Sequence, residues 1–327
     1  MVQSKMVAKQ ECNQKWLQSQ NAIKNGCKKC IVSIQFVREV EKMKNYVSLI
    51  MDIEKSRTYA TEDRIELQKY MSYCIEKLNE LFDENIEHDV TFSAGDELQG
   101  LFIDTTAAVM YFRLFELLLK PVKLRAGIGV GEWTVKIDNG SSTQQDGPAY
   151  HRARRAIEEV YSNTLHNVKI CSSNDDVMAN HLINASRVLK NQQIYMQNIV
   201  LVILELLCPF VKRETKVDKY QIVSELLKIK FEYQIGRMQY FYSRNEKFLE
   251  SQRMHFSEFS FLRPIYIDGN IEEVEEHIIV KNVSSVISEI LGCSRQNVDS
   301  ILKRGNSYKI RELDYMALQY IERMYRE

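Results

Sequence analysis

The fold is decided by residues 92–102, which read FSAGDELQGLF. Gly95-Asp96 is a dipeptide typical of a tight hairpin turn, and apolar residues flank it on both sides. The pattern therefore predicts strand, turn and strand, with Asp96 at the tip of the hairpin. Gly-Asp hairpins are common and most surface acids are simply solvated, so this motif needs support from elsewhere in the chain.

A second acid, Asp52, follows the apolar run YVSLI at residues 46–50. That run has the length of a buried strand, and ligands commonly bind at the carboxyl ends of such strands. A helix predicted over residues 61–82 would bring the hairpin back beside it. Two convergent carboxylates can hold Mg²⁺ or Mn²⁺ and leave metal positions open for triphosphate oxygens. Asp52 and Asp96 are therefore predicted metal ligands.

Two further segments support a site at this place. Residues 124–132 (LRAGIGVGE) predict a strand whose alternate glycines leave one face bare, so that another backbone or a ligand can approach. Pro148, with a capping Asp146-Gly147 before it, predicts the start of a helix. Arg152 and Arg155 would share one side of that helix, where guanidinium groups could stabilise phosphate charge. The alternative is a basic helix face with no ligand.

Taken in order, these segments resemble the SatD family. Its patterns GDExQGL, RxGIGxGE and DGPAY occur here at residues 95–101, 125–132 and 146–150, and the resemblance covers roughly residues 43–157. A more distant similarity leads to the palm of class III nucleotide cyclases and of GGDEF-type cyclases. The expected fold class is α+β, with a ferredoxin-like or cyclase-like palm domain followed by an all-α region that ends in a helix-turn-helix.

The resemblance also implies functional residues and ligands. Asp52 and Asp96 would bind Mg²⁺ or Mn²⁺, Arg155 would be the transition-state arginine, and His151 would orient the substrate. The ligand would be a nucleoside triphosphate or another nucleotide, and cyclase-like sites often form between two subunits, which favours a homodimer. The nucleotide-binding residues would be Ile53, Lys55, Gly95, Glu97, Arg125 and Arg152.

Three positions depart from the cyclase pattern. Phe92 stands where a base-selecting lysine is expected, His151 replaces an asparagine, and Ala94 replaces the first of the paired glycines. These departures argue against ordinary adenylyl or guanylyl cyclase activity. Two hypotheses remain: a nucleotide- and metal-binding regulator, or an active metal-dependent cyclase or nucleotidyl- or phosphoryl-transfer enzyme that uses Asp52 and Asp96.

The C-terminal region favours DNA binding. Residues 283–305 predict helix, tight glycine turn and helix, the layout of a helix-turn-helix. The start of the second helix offers Arg295, Gln296 and Asn297 for base edges, and its end offers Lys303 and Arg304 for phosphates. A helical pair of this shape can also be only a packing unit. The final helix is expected to bury the stripe Leu313, Met316, Ala317, Tyr320, Ile321 and Met324.

Composition bounds the remaining possibilities. The 44 basic and 44 acidic residues cancel, so any DNA affinity must come from a local patch. The apolar run at residues 199–207 is short for a bilayer span and contains Glu205, which predicts a buried helix and no membrane partner. Scattered cysteines without a secretory signal favour reduced thiols in the cytoplasm, and Cys27 and Cys30 give only a weak zinc hypothesis.

The expected domain organisation has four parts. Residues 1–42 would form a poorly ordered basic extension, and residues 43–180 the SatD or cyclase-like palm domain. Residues 181–263 would form a helical linker region, and residues 264–327 the helix-turn-helix domain.

Overall fold

The computed structural model describes residues 44–137, 140–162, 165–212, 221–233, 263–271 and 278–326. The expected basic extension, with Cys27 and Cys30, lies outside these residues. Most of the aromatic and basic stretch that precedes residue 263 lies outside them as well.

The main sheet has five strands. They are β1 (Tyr46–Ile53), β2 (Ile86–Ala94), β3 (Glu97–Phe102), β4 (Leu124–Gly131) and β5 (Val168–Cys171). Their order across the sheet is β2-β3-β1-β4-β5. Strand β1 runs antiparallel to both β3 and β4, whereas β5 is parallel to β4.

Helices cover both faces of this sheet. They are α1 (Thr61–Leu81), α2 (Thr105–Leu119) and α3 (Pro148–Ser162). Ile50 packs with Ala153 and Ile157 of α3, whereas its neighbours Leu49 and Met51 join the large core that α1 and α2 share. Since successive strand residues point to opposite faces, α3 lies across the sheet from α1 and α2. The predicted α+β class is confirmed, and the element order β1-α1-β2-β3-α2-β4 is that of a split β-α-β unit.

The remaining described elements are mostly helical. They are α4 (Val177–Asn184), α5 (Arg187–Gln192), α6 (Tyr195–Leu207), α7 (Gln221–Tyr233), α8 (Val283–Leu291), α9 (Arg295–Arg304) and α10 (Ser307–Tyr325). A short parallel pair is formed by β6 (Phe210–Val211) and β7 (Ile265–Tyr266). Among the described helices, none is long and apolar enough to cross a membrane.

Residues from Asn45 onward form one compact unit. One hydrophobic core runs from Val47 of β1 to Ile321 of α10. The division of this unit into palm, linker and helix-turn-helix domains stays a prediction.

A buried ion network crosses this unit. Arg113 of α2 donates to Glu205 of α6 and to Asp314 of α10, and Arg311 of α10 also pairs with Glu205. Lys190 of α5 lies 3.2 Å from Asp314. All five side chains are buried. Helix α6 is therefore a buried helix, as predicted, and its acid is neutralised by two guanidinium groups.

The prediction that the final helix buries its apolar stripe is only partly right, and the ion network explains why. Arg311 is fully buried and Asp314 nearly so, whereas Met324 is 44% exposed. A pattern based on hydrophobicity places charged residues on the solvent side. Here the charges face inward because their partners lie on α2, α5 and α6. In α1, the apolar residues at helical spacing are buried except the first, Ile65, which is 48% exposed; the buried ones are Leu67, Met71, Ile75 and Leu78.

Candidate functional site

Asp52 and Asp96 lie at the same end of the central strands. Asp52 is the second-last residue of β1, whose pairing with β3 ends at Met51 opposite Leu98. Asp96 precedes β3 in the two-residue turn of the hairpin. Gly95 has a φ of +65°, which suits glycine at the first turn position. The local sequence thus places both acids as expected, one at a strand end and one at a hairpin tip.

The negative charge of Asp96 acts on Asp52. The pKa of Asp52 is raised, first by burial and then by the negative charge of Asp96, although Arg125 lowers it in part. The strand register accounts for this interaction: Met51 pairs with Leu98, so Asp52 lies one residue beyond the last β1–β3 pair and Asp96 lies two residues before Leu98. Oδ2 of Asp96 is buried and has no hydrogen-bond partner among the described residues.

Arg125 of β4 occupies one side of the acidic pair. Asp52 and Arg125 are direct cross-strand partners, and an Nη of Arg125 donates to Oδ2 of Asp52 at 2.8 Å. The guanidinium carbon lies 4.3 Å from the ring centroid of Tyr161, near the end of α3. Burial, followed by the charge of Asp52, raises the pKa of Tyr161 to about 12.

A second arginine approaches from α3. Arg154 forms a forked pair with Glu97, with Nη–Oε distances of 2.6 and 2.8 Å. Ser93 also donates to Glu97 at 2.8 Å. These hydrogen bonds, that of Arg154 foremost, lower the pKa of Glu97 against the opposing effect of burial. Glu97, next to Asp96 in the chain, is therefore held as a carboxylate.

Sequence reasoning missed Arg154 and Tyr161. They are seven residues apart on α3, a spacing that puts both on one helix face. Arg155, which the resemblance makes the transition-state arginine, has different neighbours. Its guanidinium donates to Sγ of Cys171 on β5 and lies 3.8 Å from Glu159. The structure thus brings Arg154, rather than Arg155, to the hairpin that carries Asp96.

The other predicted residues of α3 are spread over its first turns. Arg152 donates to the backbone oxygen of Val130 on β4. His151 is largely exposed, with Nε2 at 3.3 Å from Asp146. Neither contact involves Asp52 or Asp96.

The predicted residues of the β1 end lie near the acids in the chain. Ile53 is buried at the end of β1. Lys55 is exposed and has a φ of 60°, and its carbonyl accepts from Thr58 in the turn that follows.

The glycines of β4 let α3 lie directly on the sheet. A Cβ on Gly129 would lie 2.0 Å from the backbone oxygen of Ala149, and one on Gly127 would lie 2.3 Å from that of Ala153. The approaching group is a helix backbone, one of the two alternatives that the sequence left open. The close approach carries Arg154 and Tyr161 to the acidic end of β1.

The residues at this site suit a hard cation in part. No cluster of three or more His, Cys, Asp or Glu side chains with metal-binding geometry occurs among the described residues. Asp52 and Asp96 would supply two oxygens, and the buried, unpartnered Oδ2 of Asp96 is one that a cation could use. Mg²⁺ commonly takes one or two carboxylates and completes its shell with water and phosphate oxygens. The donor set therefore fits a metal that arrives with a phosphate ligand.

The C-terminal helix pair forms a separate candidate surface. Helix α8 is followed by Gly292, which has a φ of 59° and caps its C-terminus. Ser294 caps α9 by accepting from the backbone N–H of Asn297. Val298 and Leu302 of α9 are buried. The five predicted DNA-binding residues are all exposed: Arg295, Gln296, Asn297, Lys303 and Arg304. Arg295 lies 3.9 Å from Asp299, one turn further along the helix.

Together, the sheet and its helices define an α+β protein with an acidic pair at one end of its central strands. Residues 46–239, more than half of the chain, match the SatD family. The chain belongs to the SatD family, as its three motifs predicted, and the match extends well beyond residue 157, where the resemblance was expected to weaken. No curated protein matches it.

Proposed function

We propose that this SatD-family chain is a nucleotide- and metal-binding regulator that binds DNA through α8 and α9. The observation that carries the proposal is the position of Asp52 and Asp96 at the same end of β1 and β3. Two adjacent carboxylates repel each other, and the charge of Asp96 already acts on Asp52. A divalent cation bound between them would remove that repulsion.

The residues of the site have separate tasks in this proposal. Asp52 and Asp96 hold Mg²⁺ or Mn²⁺, which would supply charge neutralisation for bound phosphate groups. Arg125, which is bonded to Asp52, and Arg154, which is bonded to Glu97, offer guanidinium donors to phosphate oxygens. Lys55, exposed just after β1, adds a further positive charge.

A regulator that binds a nucleotide without converting it explains the residues of the site better than an ordinary cyclase does. Phe92, at the position of the base-selecting lysine, is 37% exposed and has no charge to offer a nucleobase. Arg155 contacts Cys171 and Glu159. The alternative is an active metal-dependent nucleotide cyclase or nucleotidyl- or phosphoryl-transfer enzyme. It is favoured by Arg154, a guanidinium beside the hairpin that the sequence did not identify.

Nucleotide binding and turnover can be measured on the same samples. The full chain is incubated with each nucleoside triphosphate and Mn²⁺ or Mg²⁺, binding is measured by calorimetry, and products are resolved by mass spectrometry. The regulator shows saturable, metal-dependent binding without product, and Asp52→Asn and Asp96→Asn abolish it. Asp89→Asn, at an exposed acid of β2, serves as the control and leaves binding unchanged. A product that disappears in Asp96→Asn would instead establish the enzyme, and binding that survives both substitutions would refute the metal site.

DNA binding has its own test. Sites selected from random DNA by the full chain are compared with scrambled sequence at several salt concentrations. Arg295→Ala and Gln296→Ala each weaken specific binding by about 1–3 kcal/mol, the value of one bidentate base contact. Lys309→Ala, at an exposed residue of α10 paired with Glu312, is the control. Equal affinity for all sequences in the wild type would leave α8 and α9 as a packing unit.

Two further properties belong to the same proposal. A homodimer would present two α9 helices to paired half-sites, and analytical ultracentrifugation of the full chain tests it. The four cysteines in the described ranges have free thiols, which suits a cytoplasmic location.

A further inference from the structure

We propose that Arg125 is a built-in counter-ion that occupies Asp52 in the metal-free protein and must withdraw before a divalent cation can bind. This inference rests on the proposed metal site and concerns its regulation. Arg125 would thereby act as a gate, and nucleotide phosphates would open it.

The first step is the position of Arg125, which the sheet fixes. Asp52 and Arg125 are direct partners in the β1–β4 ladder. Partners in an antiparallel pair hold their side chains side by side on one face. The ion pair therefore follows from the strand register, and the 2.8 Å contact to Oδ2 of Asp52 is its result.

The second step is the incomplete hydrogen bonding of Arg125 and of the neighbouring acid Asp96. Nε of Arg125 is buried without a hydrogen-bond partner, and so is Oδ2 of Asp96. The guanidinium thus donates a hydrogen bond to Asp52 but none to Oδ2 of Asp96. A structural ion pair would gain from satisfying these atoms, because buried polar groups without partners are costly.

The third step is the exclusion of one cation by the other. A divalent cation on Oδ2 of Asp52 would stand beside the guanidinium, and two positive charges at contact distance repel strongly in a partly buried site. The same oxygen also has fewer lone-pair directions to offer while it accepts from Arg125. Metal binding and the Arg125–Asp52 pair therefore compete.

The fourth step concerns the group that would bind the guanidinium once it has left Asp52. Arg125 stacks on Tyr161, whose side chain is about half exposed, so the guanidinium lies next to solvent rather than deep in the core. A phosphate group offers the forked geometry that guanidinium prefers. A nucleotide that draws Arg125 to its phosphates would free Asp52, so metal and nucleotide would bind cooperatively.

The test is Mn²⁺ binding by the full chain without nucleotide, followed through the paramagnetic resonance signal of free Mn²⁺. Arg125→Gln removes the competing cation and keeps a polar side chain. We expect it to tighten Mn²⁺ binding about tenfold or more, the scale of a hydrogen bond to a charged group. Tyr161→Ala removes the stacking surface at a half-exposed position and should tighten binding in the same direction, so the test does not depend on one variant folding.

Two controls separate the possible results. Arg57→Gln removes an exposed positive charge shortly after β1 and should leave Mn²⁺ affinity unchanged. Asp52→Asn in the Arg125→Gln background should abolish the gain. If wild type, Arg125→Gln and Tyr161→Ala bind Mn²⁺ equally, or the variants bind it more weakly, the gate is wrong while the metal site stands. If no protein in the set binds Mn²⁺, the metal site is wrong and the gate falls with it.

Discussion

Arg113 and Asp314 are 201 residues apart in the chain, yet Nε of Arg113 donates to Oδ2 of Asp314 at 2.6 Å. The first residue lies on α2, which packs on the sheet, and the second lies on the final helix. Glu205 joins them from α6. The helices that follow the sheet are therefore attached to it by buried charges as well as by apolar contacts.

Removing Asp314 should strongly destabilise the protein. Asp314→Ala removes one of the two carboxylates that face each of Arg113 and Lys190, so that Arg113 keeps only Glu205 and Lys190 only Glu116. Breaking a buried ion pair in this way costs about 3–5 kcal/mol. Urea unfolding of the full chain measures it. Glu312→Ala, two residues earlier on α10, removes only an exposed pair with Lys309 and should cost at most about 1 kcal/mol. Similar losses in the two variants would contradict a structural role for the network.

The network should also make the free energy of unfolding depend on pH in the acidic range. Burial alone would raise the pKa of Glu205, but the charges of Arg113 and Arg311 outweigh it and hold that pKa below its ordinary value of 4.5. The pKa of Asp314 is likewise below 3.8, because Lys190 and Arg113 overcome the effect of burial. On acidification the unfolded chain thus takes up these protons first, which favours unfolding.

The contribution of these two acids to the free energy of unfolding should accordingly fall as the pH drops through 4.5 and then 3.8 toward the folded-state pKa values. Urea unfolding at intervals between these values and pH 7 measures the slope. Glu312→Gln, which changes an exposed acid of α10, should show the same slope as the wild type. A flat profile down to pH 3.8 would contradict the prediction.

A methyl group on Gly129 should force α3 away from the sheet. The added Cβ of Gly129→Ala would lie 2.0 Å from Ala149 O and 2.2 Å from Ala153 N, both in helix backbone that cannot rotate aside. We expect a loss of about 3 kcal/mol, at the upper end of overpacking effects, and weaker binding at the site that α3 supports. Thermal unfolding and Mn²⁺ titration measure the two effects.

Gly95→Ala is the comparison for that variant. Gly95 has open space around its Cβ position, so only its positive φ opposes a side chain. The expected cost is about 1–2 kcal/mol. A Gly129→Ala protein as stable as Gly95→Ala would show that the helix adjusts its position easily.

Asn180 supports the outer strand of the sheet. Its side-chain amide accepts from the backbone N–H of Ile170 at 2.6 Å and donates to the carbonyl of the same residue at 2.9 Å. Asn180→Ala leaves both buried groups unpaired and should cost about 2–4 kcal/mol, and hydrogen exchange at Ile170 should become faster. Met178→Ala, at a 56% exposed position of α4, should change neither quantity.

The sequence predicted the parts of this fold that depend on neighbours in the chain. The hairpin at Gly95-Asp96 and the helix start at Pro148 both have local causes, and both lie where they were expected. The inward charges of α10 could not be predicted, because the partners of Arg311 and Asp314 are remote in sequence.

The same limit applies to the candidate site, where motifs do not predict which of two neighbouring side chains meets a given partner. Arg154 and Arg155 are consecutive, and consecutive helical residues point about 100° apart. A motif can locate the pair on the helix, but only the seating of α3 on β4 decides that Arg154 meets Glu97 and Arg155 meets Cys171. The meeting of Asp52 with Arg125 depends likewise on strand register, which the motifs do not state.

The asparagine amides on the outer strands bear on how this protein can assemble. Asn180 and Asn184 occupy backbone groups of Ile170 and Val168 on β5, and Asn79 does so for Val90 in the irregular strand β2. A foreign strand that tried to lengthen the sheet would have to displace these amides first. At Val168 and Ile170 of β5 and at Val90 of β2, side chains of this chain therefore already hold backbone groups that an added strand would need.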